Sequence, residues 1–257
     1  QVASGPMGFW RRVRRFVTVD KWNVGIVRVP IAEVVRSGAV AWDVQWFPEI
    51  KGGYIADPFA IGGIDENGDL TVLAEVYDYR SQRGRIAAVR FNVHTERLEI
   101  SEIPSLNLDV HMSYPFLLQD GDQTYCIPET HGARAVYLYR AVEYPLVWVQ
   151  EAVLLEDFPA VDTTVFRHEN RWWMLATSRD EGDNRRLYAW YADELTGPWM
   201  PHAGNPIKDD ISSARPAGKP FLVDGELYRP AQDSSNTYGG RVVIHRITRL
   251  TPEEFQE

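Results

Sequence analysis

Charged and polar side chains interrupt four otherwise apolar stretches of this chain, each time a few residues ahead of a Phe. They are Asp57 before Phe59, His111 and Ser113 before Phe116, Asp162 and Thr163 before Phe166, and Arg215 before Phe221. A carboxylate set into an apolar strand loses hydration unless it is paired, so its presence calls for a partner or a purpose. Two carboxylates facing one polar cleft suit the cleavage or transfer of a glycosyl group: one protonates the departing oxygen while the other activates water or attacks the sugar carbon. Aromatic rings then offer stacking surface for a sugar. Trp42, Trp46, Tyr54, Tyr114 and Trp172 are candidates, with a plain core role as the competing reading for each.

A repeat supplies the elements that must position these groups. Asp57-Pro58-Phe59, Tyr114-Pro115-Phe116, Thr164-Val165-Phe166 and Lys219-Pro220-Phe221 each open a short strand, and an acidic or Gly-containing turn follows. The Phe positions stand 57, 50 and 55 residues apart, a period expected of β-propeller blades. Second strands are expected over 70–77, 123–129, 171–177 and 227–232, and third strands over 85–93, 135–139, 186–191 and 241–247. Outer strands are expected near 98–100, 148–153 and 199–200. Two further pieces, 22–27 and 40–46, together with the C-terminal strand, are assigned to a fifth blade that closes the ring, because exposed sheet edges need protection.

The expectation is therefore an all-β, five-bladed β-propeller forming one domain over 20–257, preceded by an extension or remnant over 1–19. Helix is expected only near 31–37 and, behind Thr251 and Pro252, over 251–255. In a propeller the first strand of each blade lines the central channel, so the polar residues converge at one mouth. Aligning the copies also places Glu75, Glu129, Thr177 and Gln232 in equivalent positions on the second strands.

Composition narrows the partners. A net charge of −9 argues against nucleic acid, whose phosphates need a basic surface. The single Cys126 excludes an internal disulfide, and its apolar strand favours a buried structural thiol over a nucleophile. There is no run of eighteen apolar residues for a transmembrane helix and no apolar signal core at the start, so a cytoplasmic location is expected. The basic stretch Trp10-Arg11-Arg12-Val13-Arg14-Arg15-Phe16 reads as a solvated linker, a packed helix or a contact with an anionic membrane surface. Zinc, P-loop and dinucleotide motifs are missing, so neither a metal nor a cofactor is expected. His111 sits on a channel-facing strand, for a sugar hydroxyl, a metal-held water or a structural hydrogen bond. His131, His168, His202 and His245 carry no ligand spacing.

With Asp57-Pro58-Phe59, Asp162-Thr163-Thr164-Val165-Phe166 and its repeat, the chain resembles glycoside hydrolase family 43 and its five-bladed relatives, which include invertase-like and levansucrase-like enzymes. The resemblance implies Asp57 as general base and Asp162 as the residue that tunes a pKa and orients the acid; from the residues alone Asp57 could also be a nucleophile. It also implies a general-acid Glu near the start of the fourth blade, where Ser213-Ala214-Arg215-Pro216-Ala217-Gly218-Lys219 carries Arg215 instead. An arginine cannot donate a proton at any useful pH. Either Glu129, in Ile127-Pro128-Glu129-Thr130, supplies the acid or the reaction differs. Over nearly its whole length the chain resembles the propeller domain at the N-terminus of plant glucosamine inositolphosphorylceramide transferases, also found in bacterial proteins that sometimes carry a formyltransferase domain. The stretches His111 to Phe116, Arg171-Trp172-Trp173, and Ser213 to Gly218 with Leu227 to Asp233 carry that likeness.

The sequence thus points to a carbohydrate-active enzyme with Asp57, Glu129 and Asp162 as catalytic groups. Substrate contacts are expected from His111, Ser113, Tyr114, Thr163, Arg215, Arg229, Gln232, Asp233, Trp42 and Glu75. Arg215 and Arg229 suit the carboxylate of a sugar acid or a phosphate, or else they neutralise nearby acids. The alternative function is a noncatalytic glycan-binding propeller beside a catalytic domain of a longer protein. A protein-interaction scaffold has no use for buried carboxylates at the channel mouth.

Overall fold

A computed structural model describes residues 21–38 and 43–257. The first described elements are strand β1 (Gly25–Val27), helix α1 (Ile31–Ser37) and strand β2 (Val44–Trp46), with β1 and β2 paired antiparallel. The first blade follows as β3 (Gly53–Phe59), β4 (Asp69–Asp78), β5 (Arg83–Asn92) and β6 (Leu98–Glu102). The second is β7 (Ser113–Asp120), β8 (Gln123–Glu129), β9 (Ala135–Glu143) and β10 (Val147–Glu156). The third joins β11 (Ala160–His168), β12 (Arg171–Ser178) and β13 (Arg186–Ala192), with β14 (Met200–Pro201) and β15 (Lys208–Asp209) sharing the edge of β13. The fourth is β16 (Phe221–Val223), β17 (Glu226–Asp233) and β18 (Arg241–Ile247), and a small hairpin of β19 (Arg249–Leu250) and β20 (Phe255–Gln256) ends the chain.

Turn chemistry explains why the first two strands of each blade meet as a hairpin. Glu169-Asn170 and Asp224-Gly225 have both residues at positive φ, the tight-turn geometry that matches strand twist. Gly68 and Gly121 serve the corresponding turns of the first two blades with φ of 83° and 56°. The alternating strands then bury a main core with three smaller clusters beside it. Phe59, Tyr114 and Phe116 meet where the first two blades face each other, with Phe59 edge-on to both other rings at 4.8 and 5.3 Å.

Among the described residues the arrangement is a β-propeller of four blades, not five. The N-terminal strands pair with each other and the C-terminal strands pair with each other, so among the described residues they build no shared sheet. Side chains instead fix the N-terminal segment on both sides. Val24 and Phe47 pack into the first blade beside Phe91, while Trp22 meets Tyr238 edge-on at 5.7 Å and Arg36 pairs with Asp224 of the fourth blade. The helix expected over 251–255 is absent. Thr251 does accept the amides of Glu253 and Glu254, but the turn it caps runs into β20. The basic stretch at 10–16, the front of the expected strand at 40–46 and Trp42 lie outside the described residues.

Candidate functional site

The first strands of three blades break register at the same place. β3 skips Asp57 and Pro58 between Ala56 and Phe59, β7 skips Tyr114 and Pro115, and β11 skips Asp162 and Thr163. Such a bulge leaves a residue unpaired and redirects its side chain. Asp57, Tyr114 and Asp162 accordingly hold φ of 51°, 42° and 52°, a left-handed state that costs a non-glycine residue roughly 1–2 kcal/mol. The repeat therefore aligns on the bulge and not on Phe: Thr164 stands where Phe59 and Phe116 stand, and Phe166 lies two positions further along. On the second strands, Glu75, Glu129 and Thr177 oppose Ala56, Ser113 and Val161, one residue before each bulge.

These elements surround a cavity of about 910 Å³ whose wall includes Asp57, Glu75, Glu129, Arg215, Tyr54 and His111. Ser113, Tyr114 and Gln232 also reach it. Its charges are locked in a network that ties blade to blade. The Tyr114 amide donates to Asp57 at 3.3 Å, and the Asp162 amide donates to Glu129 at 3.0 Å. His131 Nδ1 stands 2.7 Å from the other oxygen of Glu129. Asp162 sits behind the wall, where one oxygen accepts from Arg215 Nε at 2.5 Å and from Gln232 Nε2 at 2.8 Å. Arg215 also donates to Asn184 and lies over the Tyr238 ring at 5.1 Å.

Burial and mutual repulsion drive the carboxyls apart in acidity. Desolvation, reinforced by the Glu129 charge and only partly offset by Arg215, raises the Asp57 carboxyl to about 6. Desolvation with Asp57 and Glu129 nearby raises Glu75 further, to about 9. Burial alone would raise Glu129 too, yet the His131 hydrogen bond, Arg215 and the Asp162 amide together hold it below the ordinary range. Burial pushes the Asp162 carboxyl up against the pull of Arg215. Desolvation also lowers His111 and Lys219, which favours their neutral forms.

The structure does not bring every expected residue to the cavity. Arg229 is 1% exposed and turns away, with Nε and Nη2 on the two oxygens of Glu257 and further bonds to the carbonyls of Ser213 and Ala214. Asp233 is occupied by Ser235 and Arg241, and Thr163 is buried outside the wall. Trp172 is core and Trp46 faces solvent, whereas Tyr54 stacks on Tyr77 at 4.7 Å in the cavity. Sequence reasoning missed Tyr77, His131, Lys219 and Tyr238. Only His131 left a signal, standing two residues after Glu129 at the end of β8.

The profile of the family described as "Glucosamine inositolphosphorylceramide transferase 1, N-terminal" matches residues 15–257. This chain belongs to that family. Glucosamine inositolphosphorylceramide transferase 1 of Oryza sativa subsp. japonica is 35% identical over 217 residues, which are 80% of this chain and 28% of that protein. The Arabidopsis thaliana protein of the same name is 38% identical over 152 residues, 57% of this chain and 20% of that one. The chain thus spans about a quarter of its curated relatives. Among solved structures, an exo-β-1,3-galactanase from Clostridium thermocellum superposes with a TM-score of 0.65 at 12% identity, covering 84% of this chain and 52% of that one. The exo-β-1,3-galactanase Pc1,3Gal43A of Phanerochaete chrysosporium, with galactose, gives 0.60 at 12%, over 80% and 51%. At such identity the likeness is one of fold.

Proposed function

We propose that the cavity is a carbohydrate site in which Asp57 exchanges a proton during cleavage or transfer of a glycosyl bond. The observation that carries this reading is the state of Asp57. Its half-buried carboxyl lies in the wall of the cavity, held by a bulge in a left-handed backbone, with an acidity moved toward neutrality. A group poised near the working pH moves protons most effectively. Glu129 fills a different role from the acid expected of it, because both of its oxygens are engaged and its charge is favoured. It is the fixed negative partner that adds to the rise burial gives Asp57. Asp162 and Arg215 form the ion pair that anchors this arrangement.

The sugar is proposed to carry an anionic group. Arg215 is already committed to Asp162, but Lys219 Nζ reaches only the Ala60 carbonyl, at 3.3 Å, with no carboxylate partner among the described residues, so an anion on the sugar would restore the charge that burial disfavours. Tyr54 and Tyr77 supply the stacking face. In longer relatives this domain would stand beside a further catalytic domain.

Arg215, standing where a family 43 acid is expected, favours a second reading: a noncatalytic glycan-binding propeller. Calorimetry with neutral and acidic oligosaccharides, paired with product analysis, separates the two. The enzyme reading expects binding and product release by the wild-type protein, with Asp57→Asn binding the same glycan and releasing nothing. Binding without product in both proteins supports the second reading, and no glycan bound by either overturns both.

A further inference from the structure

We infer that Glu75 is the acid of this site, donating its proton to the departing glycosidic oxygen. This rests on the carbohydrate reading of the cavity given above, which left the acid unassigned once Arg215 and Glu129 were excluded. Glu75 lines the same cavity as Asp57, and its partner across the β3–β4 ladder is Ala56, the residue before Asp57. It is 5% exposed, and among the described residues its buried Oε1 has no hydrogen-bond partner. An ionised carboxylate in that position would be uncompensated, whereas a neutral one costs far less.

Its neighbours fit the neutral form. The Gly84 amide, which can only donate, bonds His111 Nδ1 at 3.0 Å, so that nitrogen is unprotonated and the ring hydrogen sits on Nε2. Nε2 lies 3.6 Å from Glu75 Oε1, too far for a hydrogen bond, but a hydrogen on Oε1 would crowd the Nε2 hydrogen, so the acid hydrogen is placed on Oε2. Oε1 is shut against Gly84, where an added Cβ would come within 2.2 Å of it, so the glycine keeps the carboxyl in place. Asp57 and Glu129 face Glu75 from the first strand of its own blade and the second strand of the next, Tyr77 neighbours it on β4, and Tyr54 joins from β3; none supplies a cation. The nearest basic group, His111, is held toward neutrality by burial.

In the reaction the C–O bond to the leaving group breaks as Glu75 Oε2 gives its proton to that oxygen, which departs as a neutral alcohol. Water, or an acceptor hydroxyl, adds to the anomeric carbon as Asp57 takes its proton. Glu75 ends as the carboxylate and Asp57 as the acid, and one proton returned through solvent restores the site.

Matched alkyl and 4-nitrophenyl glycosides test this with the wild-type protein, Glu75→Gln and Asp57→Asn. An alkoxide needs the proton and nitrophenolate does not, so Glu75→Gln should slow alkyl glycosides by about 10²–10⁴-fold, spare the nitrophenyl substrates most of that loss and erase the alkaline limb of the pH profile. Carboxyl ¹³C NMR of the wild-type protein should show Glu75 still protonated at pH 7. Equal activity of Glu75→Gln on both substrate types, with Asp57→Asn inactive, removes Glu75 from the chemistry and leaves the site reading intact. A Glu75 carboxyl that titrates in the ordinary range overturns the inference whatever the rates. Failure of the wild-type protein to turn over any glycoside defeats both.

Discussion

Asp57, Tyr114 and Asp162 occupy one backbone state in three blades, and what differs between them is the side chain that the bulge aims. Two are acids, and the third is a tyrosine whose hydroxyl accepts from the Gly218 amide at 2.8 Å and bonds Thr164 at 3.0 Å. The acids give the molecule a distinct pH dependence. Glu75 is raised in the folded state, so the folded protein binds the extra proton and its stability falls as pH climbs from the ordinary carboxylate range to about 9. The slope from such a group is about 1.4 kcal/mol per pH unit. Denaturant titrations from pH 5 to 9 should therefore show Glu75→Gln flattening this decline; an unchanged slope would mean an ordinary Glu75. Arg215→Ala should cost roughly 3–5 kcal/mol in the same assay, because it leaves the buried Asp162 without its cation. The sequence showed these acids as polar interruptions of apolar strands. It did not show that Glu129 would be taken up by His131 and the Asp162 amide, since contacts between blades leave no local pattern.

At the level of elements, strands and hairpins were legible because their signals are local: alternation, β-branched and aromatic residues, and left-handed turn residues. Helix 31–37 was found with the same bounds. The bulges were hidden, because an extra residue in one strand is defined only by its partner across the ladder. Aligning on Phe therefore mixed two positions of the strand. Arg229 shows the same limit: from sequence it faced the channel, but it closes on Glu257 beneath β17 and Lys208 joins the cluster. Glu257→Ala should strand the Arg229 guanidinium in the core and cost about 3–5 kcal/mol by chemical denaturation. A loss under about 1 kcal/mol, typical of an exposed pair, would deny it that role.

For the whole molecule, the repeat dictated a radial all-β arrangement, and the count of blades was where the expectation failed. A fifth blade was assigned on the argument that a ring must close by pairing strands. The described N-terminal segment instead uses Trp22, Val24, Arg36 and Phe47 to touch the fourth and first blades through side chains. Trp22→Ala should therefore loosen the fourth blade locally, with faster amide exchange around Tyr238 and little change in the second blade; uniform exchange across all blades would contradict that division. The blades together enclose a cavity where Asp57, Glu75, Glu129 and the buried Arg215 converge, with Asp162 behind its wall, and its proposed purpose is action on a glycosyl bond. The rate of glycosyl release by the wild-type protein and by Asp57→Asn, across neutral and acidic oligosaccharides, tests this most directly. A catalytic Asp57 requires turnover by the wild-type protein that falls by about a hundredfold or more when Asp57 loses its titratable proton; equal turnover in the two proteins, or none in either, would rule that role out.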